Sequence, residues 1–285
     1  MAYARYSCLP IPFYRQMLGE RTMTVFDWLE IAADLPITGT ELPRQILPGY
    51  EAKDLERLRA GVESKRLQVS QLTTTPDLTH QDAVYRHEQV EQTLRDIDAA
   101  ATLGATCVRV TAGQDYPGLS RQDGIRYAVD GFQRLLERAA RRGVSLAYEN
   151  HYKGFFWQYP DFSHRAEIFL EIVGRLRESG LRVNFDTSNQ VIMSEDPLAV
   201  LREVKELVVH THCSDRLRMG EYPQAVAGEG VVDFPAIFET LRRAGFAGWL
   251  SVEYTGPEGL AGMKRALDFV RRGWEATLAS SSPAL

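Results

Sequence analysis

A single parallel (β/α)8 barrel is the fold this chain predicts, and three observations predict it. Strand and helix signals alternate from end to end, with no linker or low-complexity run between them. Four apolar, β-branched-rich runs end abruptly in a carboxylate or an imidazole: Ala147-Tyr-Glu-Asn-His151, Val183-Asn-Phe-Asp-Thr-Ser-Asn189, Val208-Val-His-Thr-His-Cys-Ser-Asp215 and Leu250-Ser-Val-Glu-Tyr254. Their terminal residues, Glu149, Asp186, His212 and Glu253, are spaced 37, 26 and 41 residues apart. A barrel of eight units in ~250 residues uses roughly 31 per unit, so four consecutive strands would aim these side chains at one rim.

The elements follow in order. Tyr3–Leu9 reads as the first strand, followed by a helix at Val25–Asp34. Ile37–Leu42 reads as the second strand, followed by a helix at Ala52–Lys65. Leu67–Leu72 alternates as a third strand and runs into the polar loop Thr73-Thr-Thr-Pro-Asp77. Gln81–Leu103 places Val84, Val90, Leu94, Ile97 and Ala101 on one helical stripe, with Gly104 as a natural stop. Ala105–Thr111 is the fourth strand. Gln122–Arg142 repeats the stripe with Ile125, Val129, Phe132, Leu136 and Ala139, closed by Gly143. The four site-bearing strands then alternate with helices at Ser163–Ser179, Asp196–Lys205 and Phe234–Ala244, the last with Asp233 as N-cap and Gly245 as C-cap. A final helix over Pro257–Thr277 closes the ring. Residues 1–278 are thus expected to form one TIM barrel and a single catalytic domain, and 279–285 a disordered polar tail.

Composition narrows the function. Among 285 residues, 44% are hydrophobic and 25% charged, ordinary for a soluble protein with a sizeable core. A net charge of −5 argues against a nucleic-acid partner, which would need clustered Lys and Arg. No apolar run approaches the ~18 residues of a membrane span, and the start of the chain lacks the basic and apolar regions of a secretory signal. Three scattered cysteines, Cys8, Cys107 and Cys213, favour free thiols in a reducing compartment, so a cytoplasmic location is expected. Strand alternation turns Cys213 away from its inward-facing neighbour His212. Nothing in the chain specifies the oligomeric state, and a homo-oligomer is left open.

Each site residue has an ordinary structural use. Glu149 serves equally as an ion-pair partner, His151 as a capping residue, and Asp186 as an N-cap or turn residue. His210 shares a face with His212 but lies one layer deeper, as a hydrogen-bonded core histidine. Recurrence at barrel period changes the balance. Three carboxylates and an imidazole in an apolar mouth repel unless a divalent cation neutralises them. A hard, oxygen-rich donor set suits Mn²⁺ first, with Mg²⁺ or Co²⁺ as alternatives, and metal–ligand distances of about 2.0–2.6 Å. Four protein ligands leave two octahedral positions for adjacent hydroxyl and carbonyl oxygens of a small carbohydrate or keto-acid substrate. Glu149 and Glu253 come from opposite arms of the array, each placed to serve as acid or base on its own face of the substrate. Arg109, in Val108-Arg-Val110, should enter the same mouth, paired with a carboxylate or clamping substrate. Arg216 and Arg218 are further candidates, and Trp157 and Phe155 offer an apolar wall for a sugar ring.

These motifs resemble the xylose-isomerase-like TIM-barrel superfamily of sugar isomerases and epimerases, which carries Glu-Asn-His at strand five, Asp-x-x-His or Asp-x-x-Asn at strand six, His-x-Lys-Asp at strand seven and Val-Glu at strand eight. The chain has Glu149-Asn150-His151, Asp186-Thr-Ser-Asn189, His212-Cys-Ser-Asp215 and Val252-Glu253, with Gly228-Glu-Gly230 and Gly245-Phe-Ala-Gly248 on the approach to strand eight. The resemblance implies metal binding by Glu149, Asp186, His212 and Glu253, and proton shuttling between neighbouring carbons of a ketose through an enediolate. It places Asn189 where ketose epimerases hold a second histidine, giving a neutral contact to a substrate hydroxyl. Ser214 replaces the common lysine, removing a cation that would hold a phosphate or an enolate. Arg109 with Glu149-x-His151 is similar to the dehydroshikimate-type dehydratases of the superfamily. A metal-dependent isomerase or epimerase, with Glu149, Glu253 and His151 catalytic, is therefore the leading expectation, and a dehydratase of a keto-acid or ketocyclitol the alternative.

Overall fold

The computed structural model describes residues 5–279. Eight parallel strands run in the order β1 (Arg5–Cys8), β10 (Trp249–Val252), β7 (Val208–Cys213), β6 (Arg182–Asp186), β5 (Ser145–Glu149), β4 (Cys107–Val110), β3 (Gln68–Thr73) and β2 (Gly39–Pro43). The amide of Thr38 donates to the Tyr6 carbonyl at 3.0 Å, drawing the β1 and β2 edges together. The result is the expected (β/α)8 barrel. One small antiparallel pair, β8 (Asp215–Arg216) and β9 (Gln224–Ala225), stands above β7.

The helices are α1 (Val25–Ala33), α2 (Ala52–Ser64), α3 (Ala83–Leu103), α4 (Arg121–Arg142), α5 (Ala166–Leu176), the short α6 (Asn189–Ile192), α7 (Pro197–Val204), α8 (Phe234–Arg243) and α9 (Gly259–Ala279). Their starts are written in the sequence. Thr24 and Asp27 form a reciprocal capping box on α1, and Asp82, Ser120, Asp196 and Asp233 cap α3, α4, α7 and α8. Gly104 and Gly143 stop α3 and α4 at φ 72° and 67°, a left-handed turn that favours glycine.

Two expectations need correction. Val84 is 65% exposed rather than on the buried stripe of α3, because Asp82 caps the helix and leaves Val84 in its first turn. Ala279 ends α9 instead of opening a tail; the rest of the expected tail, 280–285, lies outside the described residues, as do Tyr3 and Ala4 of the first strand. The segment after β1, to which the sequence assigned no element, adds two short turns. It forms a 3-10 turn, Ile11–Phe13, and a π-helical turn, Arg15–Gly19, which carry Tyr14 towards the barrel mouth.

Strand alternation sorts the side chains unusually. Val108, Val110, Leu146, Val183, Phe185 and Leu250 join the apolar layer packed against the helices. Inside the barrel, Glu41, Gln71, Asn184, His210, His212 and Ser251 are fully buried and linked by hydrogen bonds. Barrel interiors are commonly filled by branched apolar residues; here the inner layers are polar and lead up to the rim. Among the described residues, no helix is long and apolar enough to cross a membrane.

Candidate active site

His212 is the hub. From the end of β7 its Nδ1 lies 2.9 Å from Glu149 Oε1, at the end of β5, and 2.8 Å from Glu253 Oε2, just past β10. Asp186, at the end of β6, completes the group: ligand atoms of Glu149, Asp186, His212 and Glu253 all lie within 4.8 Å of one another. Opposite ligands of an octahedral ion bonded at 2.0–2.6 Å are about 4–5 Å apart, so the spacing suits one hard cation. The four side chains expected to converge do so.

Electrostatics sharpen the picture. Burial lowers the basicity of His212, but Glu41, Glu149 and Glu253 around it push its pKa well above the ordinary value. Burial raises Glu149, yet the Arg109 guanidinium and His212 outweigh it and hold the carboxyl at about 2. Asp186 is raised to about 6, by burial first and then by Glu253 and Glu149. One imidazole therefore faces more negative charge than it can neutralise. Arg109 Nε and Glu149 Oε2 are 2.9 Å apart but misaligned, and both are buried without a hydrogen-bond partner. An orphaned carboxylate oxygen in this donor set is what a divalent cation would satisfy, so the residues fit the metal that they imply.

Asp186 is oriented from three sides. Its Oδ1 accepts from the amides of Ser188 and Asn189 at 2.7 Å each, starting α6, and both oxygens lie 3.0 Å from Ser214 Oγ. Asn150 exchanges 2.8 Å hydrogen bonds with the backbone of Asp186 in both directions. The turn reading and the ligand reading of Asp186 are thus compatible. Asp215 anchors the loop beyond: its carboxylate accepts from the amides of Arg216, Gly228, Gly230 and Val232 at 2.8–3.0 Å. A Cβ on Gly230 would meet the Arg216 carbonyl at 2.2 Å, which explains the glycine there.

Glu253 is the member of the group that lines a cavity of about 120 Å³, whose wall also includes Arg109, His151, Tyr14, Phe155 and Tyr222. His151 faces it without joining the ligand group; its Nδ1 lies 3.3 Å from Asp161, and Trp157 packs edge-on against its ring at 5.6 Å. Burial and the Glu253 and Glu41 carboxylates push the Tyr14 phenol well above its usual range, keeping it a neutral hydrogen-bond donor at the mouth.

Other expected contacts fall elsewhere. Asn189, Trp157, Arg216 and Arg218 do not belong to the cavity wall. Asn189 donates to the Asn150 carbonyl at 3.2 Å. Arg216 is buried, donating to Ser188, Asn189 and the Tyr222 carbonyl, and stacks 5.3 Å over the Tyr222 ring. It reaches the cavity only by holding Tyr222. Arg218 is exposed and pairs with Glu221 at 3.4 Å, because β8 turns its strand out of the barrel. Cys213 points away from the site, as alternation requires, with Thr211 Oγ1 at 3.4 Å. His210 is the expected core histidine, its Nδ1 3.0 Å from Asn184 Oδ1. Sequence reasoning missed Tyr14 and Glu41. Glu41 lies in the middle of Gly39–Pro43, so no strand-end pattern marked it.

The fold and the rim of converging ligands define a (β/α)8 barrel with a candidate metal centre. Residues 29–273 match the family model described as xylose isomerase-like TIM barrel, and the chain belongs to that family. It is similar to the rhizopine catabolism protein MocC of Rhizobium meliloti, at 28% identity over 47% of this chain and 49% of that protein. An inosose dehydratase of Geobacillus thermodenitrificans is 30% identical over 44% and 45%. The chain spans about half the length of these two curated relatives. L-ribulose-5-phosphate 3-epimerase UlaE of Escherichia coli is 25% identical over 68% of this chain and 66% of its own. The solved structure of an L-ribulose 3-epimerase superposes with a TM-score of 0.79 over 99% of this chain and 100% of that one, at 19% identity, and so supports the fold.

Proposed function

We propose that the chain is a divalent-metal-dependent isomerase or epimerase of a keto-sugar or related polyol. The observation that carries this reading is the pair Glu149 and Glu253, which approach one imidazole nitrogen at 2.9 and 2.8 Å from strands on either side of β7. A barrel that only bound its ligand would need no such pair. Glu149, Asp186, His212 and Glu253 would hold the ion, Mn²⁺ by the hardness of the donors, with Mg²⁺ or Co²⁺ as alternatives. When bound, the ion supplies Lewis-acid polarisation of a substrate carbonyl and of the hydroxyl beside it.

The chain's own residues divide the remaining work. Glu253 is the more accessible carboxylate, with a side chain 23% exposed against 1% for Glu149, and removes the proton beside the carbonyl to give an enediolate. Glu149, held as a carboxylate beside Arg109, has no proton of its own to give; it would orient a water that protonates the enediolate from its own side, while Glu253 releases the abstracted proton to solvent. His151 binds a substrate hydroxyl, while Tyr14 and Phe155 narrow the mouth and exclude water. The buried, unpaired thiols suit the cytoplasm as the working compartment.

A dehydratase is the second reading, favoured by Arg109. Its side chain lines the cavity beside Glu149 and His151, where it can receive a departing hydroxide, and an inosose dehydratase is among the relatives. Both reactions begin with the same proton abstraction. Incubation with ketoses, keto-acids and cyclitols in D₂O is expected to put deuterium on the carbon beside the carbonyl of the true substrate. A product of equal mass marks an isomerase, and one lighter by water a lyase; turnover with no deuterium uptake would remove both readings.

His151→Ala is expected to lower turnover while leaving metal content near one equivalent, because the ring touches the cavity and not the ligand group. Loss of metal in this variant would make His151 a ligand or its support.

A further inference from the structure

Beneath the site, a fully buried carboxylate on β2 meets the far side of the hub imidazole. Glu41 Oε2 lies 3.1 Å from His212 Nε2 and accepts from Gln71 Nε2 and Thr73 Oγ1 at 2.9 Å each. Its other oxygen accepts from Ser251 Oγ and lies 3.6 Å from His210 Nε2. Three strands besides its own therefore clamp one carboxylate: β3 through Gln71 and Thr73, β7 through the two histidines and β10 through Ser251. Among the described residues, no other buried carboxylate lies on the Nε2 side of His212.

We propose that Glu41 is a positioning residue that fixes the tautomer and ring orientation of His212, so that Nδ1 is presented to the metal. An imidazole ligand offers a lone pair from one nitrogen only when its proton sits on the other. A carboxylate with its charge intact accepts and never donates, so when the metal engages Glu149 and Glu253 on the Nδ1 side, Glu41 is the acceptor left for the ring proton; it selects the Nε2–H form and leaves the Nδ1 lone pair for the ion. The donors on Glu41 fix the carboxylate before the imidazole meets it. Gln71 also approaches His212 Nε2 at 3.4 Å but through its amide nitrogen, a donor, and so cannot replace Glu41 as acceptor. The inference rests on the metal-centre reading proposed above.

The test compares Glu41→Gln with a core substitution remote from the site, Leu58→Ala on α2, in titrations of purified metal-free protein with Mn²⁺. Removing an outer carboxylate behind a histidine ligand typically weakens metal binding by about 10–100-fold. Glu41→Gln is expected to show that loss, and Leu58→Ala to bind as wild type even where its melting temperature falls as far. With Zn²⁺ as a diamagnetic probe, nitrogen NMR of the wild type is expected to show His212 protonated at Nε2, a signature that core packing alone would not set. Wild-type Mn²⁺ affinity in Glu41→Gln, equal loss in Leu58→Ala, or a proton on Nδ1 would overturn the proposal. Two bound ions in the wild type, one lost with Glu41→Gln, would make Glu41 a ligand and overturn it too. Should Glu41→Gln fail to fold, Thr73→Val and Ser251→Ala, each removing one donor from the carboxylate, are expected to weaken Mn²⁺ binding severalfold, and unchanged affinity in both would refute it. A wild-type protein that binds no divalent metal refutes the metal centre itself, a different result from metal bound equally with and without Glu41.

Discussion

Glu253→Gln is expected to lower turnover by at least about 10²–10⁴-fold, the contribution of a positioned acid–base group. The amide keeps the size and one oxygen of the glutamate but cannot accept a proton. Glu253 lies 2.8 Å from His212 and is the more open of the two flanking carboxylates, so its loss strikes the proton transfer directly. Metal should still bind, more weakly, through Glu149, Asp186 and His212. Steady-state rates with metal content measured on the same samples decide the point. A variant with full activity would remove Glu253 from the chemistry, and one without activity or metal would leave it a ligand only.

His212→Ala should be more damaging still, because it attacks site and fold together. The imidazole contacts Glu41 on one side and Glu149 and Glu253 on the other, and it is fully buried. Removing one partner of a buried charged pair costs about 3–5 kcal/mol, since the remaining charges lose their compensation. Turnover is expected to fall to background and metal content well below one equivalent. The metal-free variant should also melt at a lower temperature than metal-free wild type. Retention of stoichiometric metal by this variant would be incompatible with His212 as the hub.

The parts of this architecture that were readable in the sequence share a physical reason. Strands β5 and β6 end in a ligand-type side chain, β7 carries one a residue before its end, and β10 is followed directly by one; the barrel period converts that pattern into convergence at a rim. Strand β2 is different. Gly39-Thr-Glu-Leu-Pro43 lacks the β-branched run and carries its charge in mid-strand between Thr40 and Leu42, so no apolar run leads up to the carboxylate. Only the closing of the barrel sets Glu41 under His212. Side-chain direction was also illegible after β6 and β7. Asn189 and Arg216 lie close to the ligands in sequence, yet Asp186 starts α6 and Asp215 gathers the following loop, and these local hydrogen bonds turn both away from the cavity. Tyr14 enters at the junction of a 3-10 turn and a π-helical turn, which have no sequence period to announce them.

The most direct measurement is anomalous diffraction from crystals soaked in Mn²⁺. One strong peak is expected per chain, bounded by Glu149, Asp186, His212 and Glu253 at about 2.0–2.6 Å, with His151 and Arg109 outside bonding distance. No peak at that rim, or a peak held by other side chains while these four stay paired among themselves, would contradict the account.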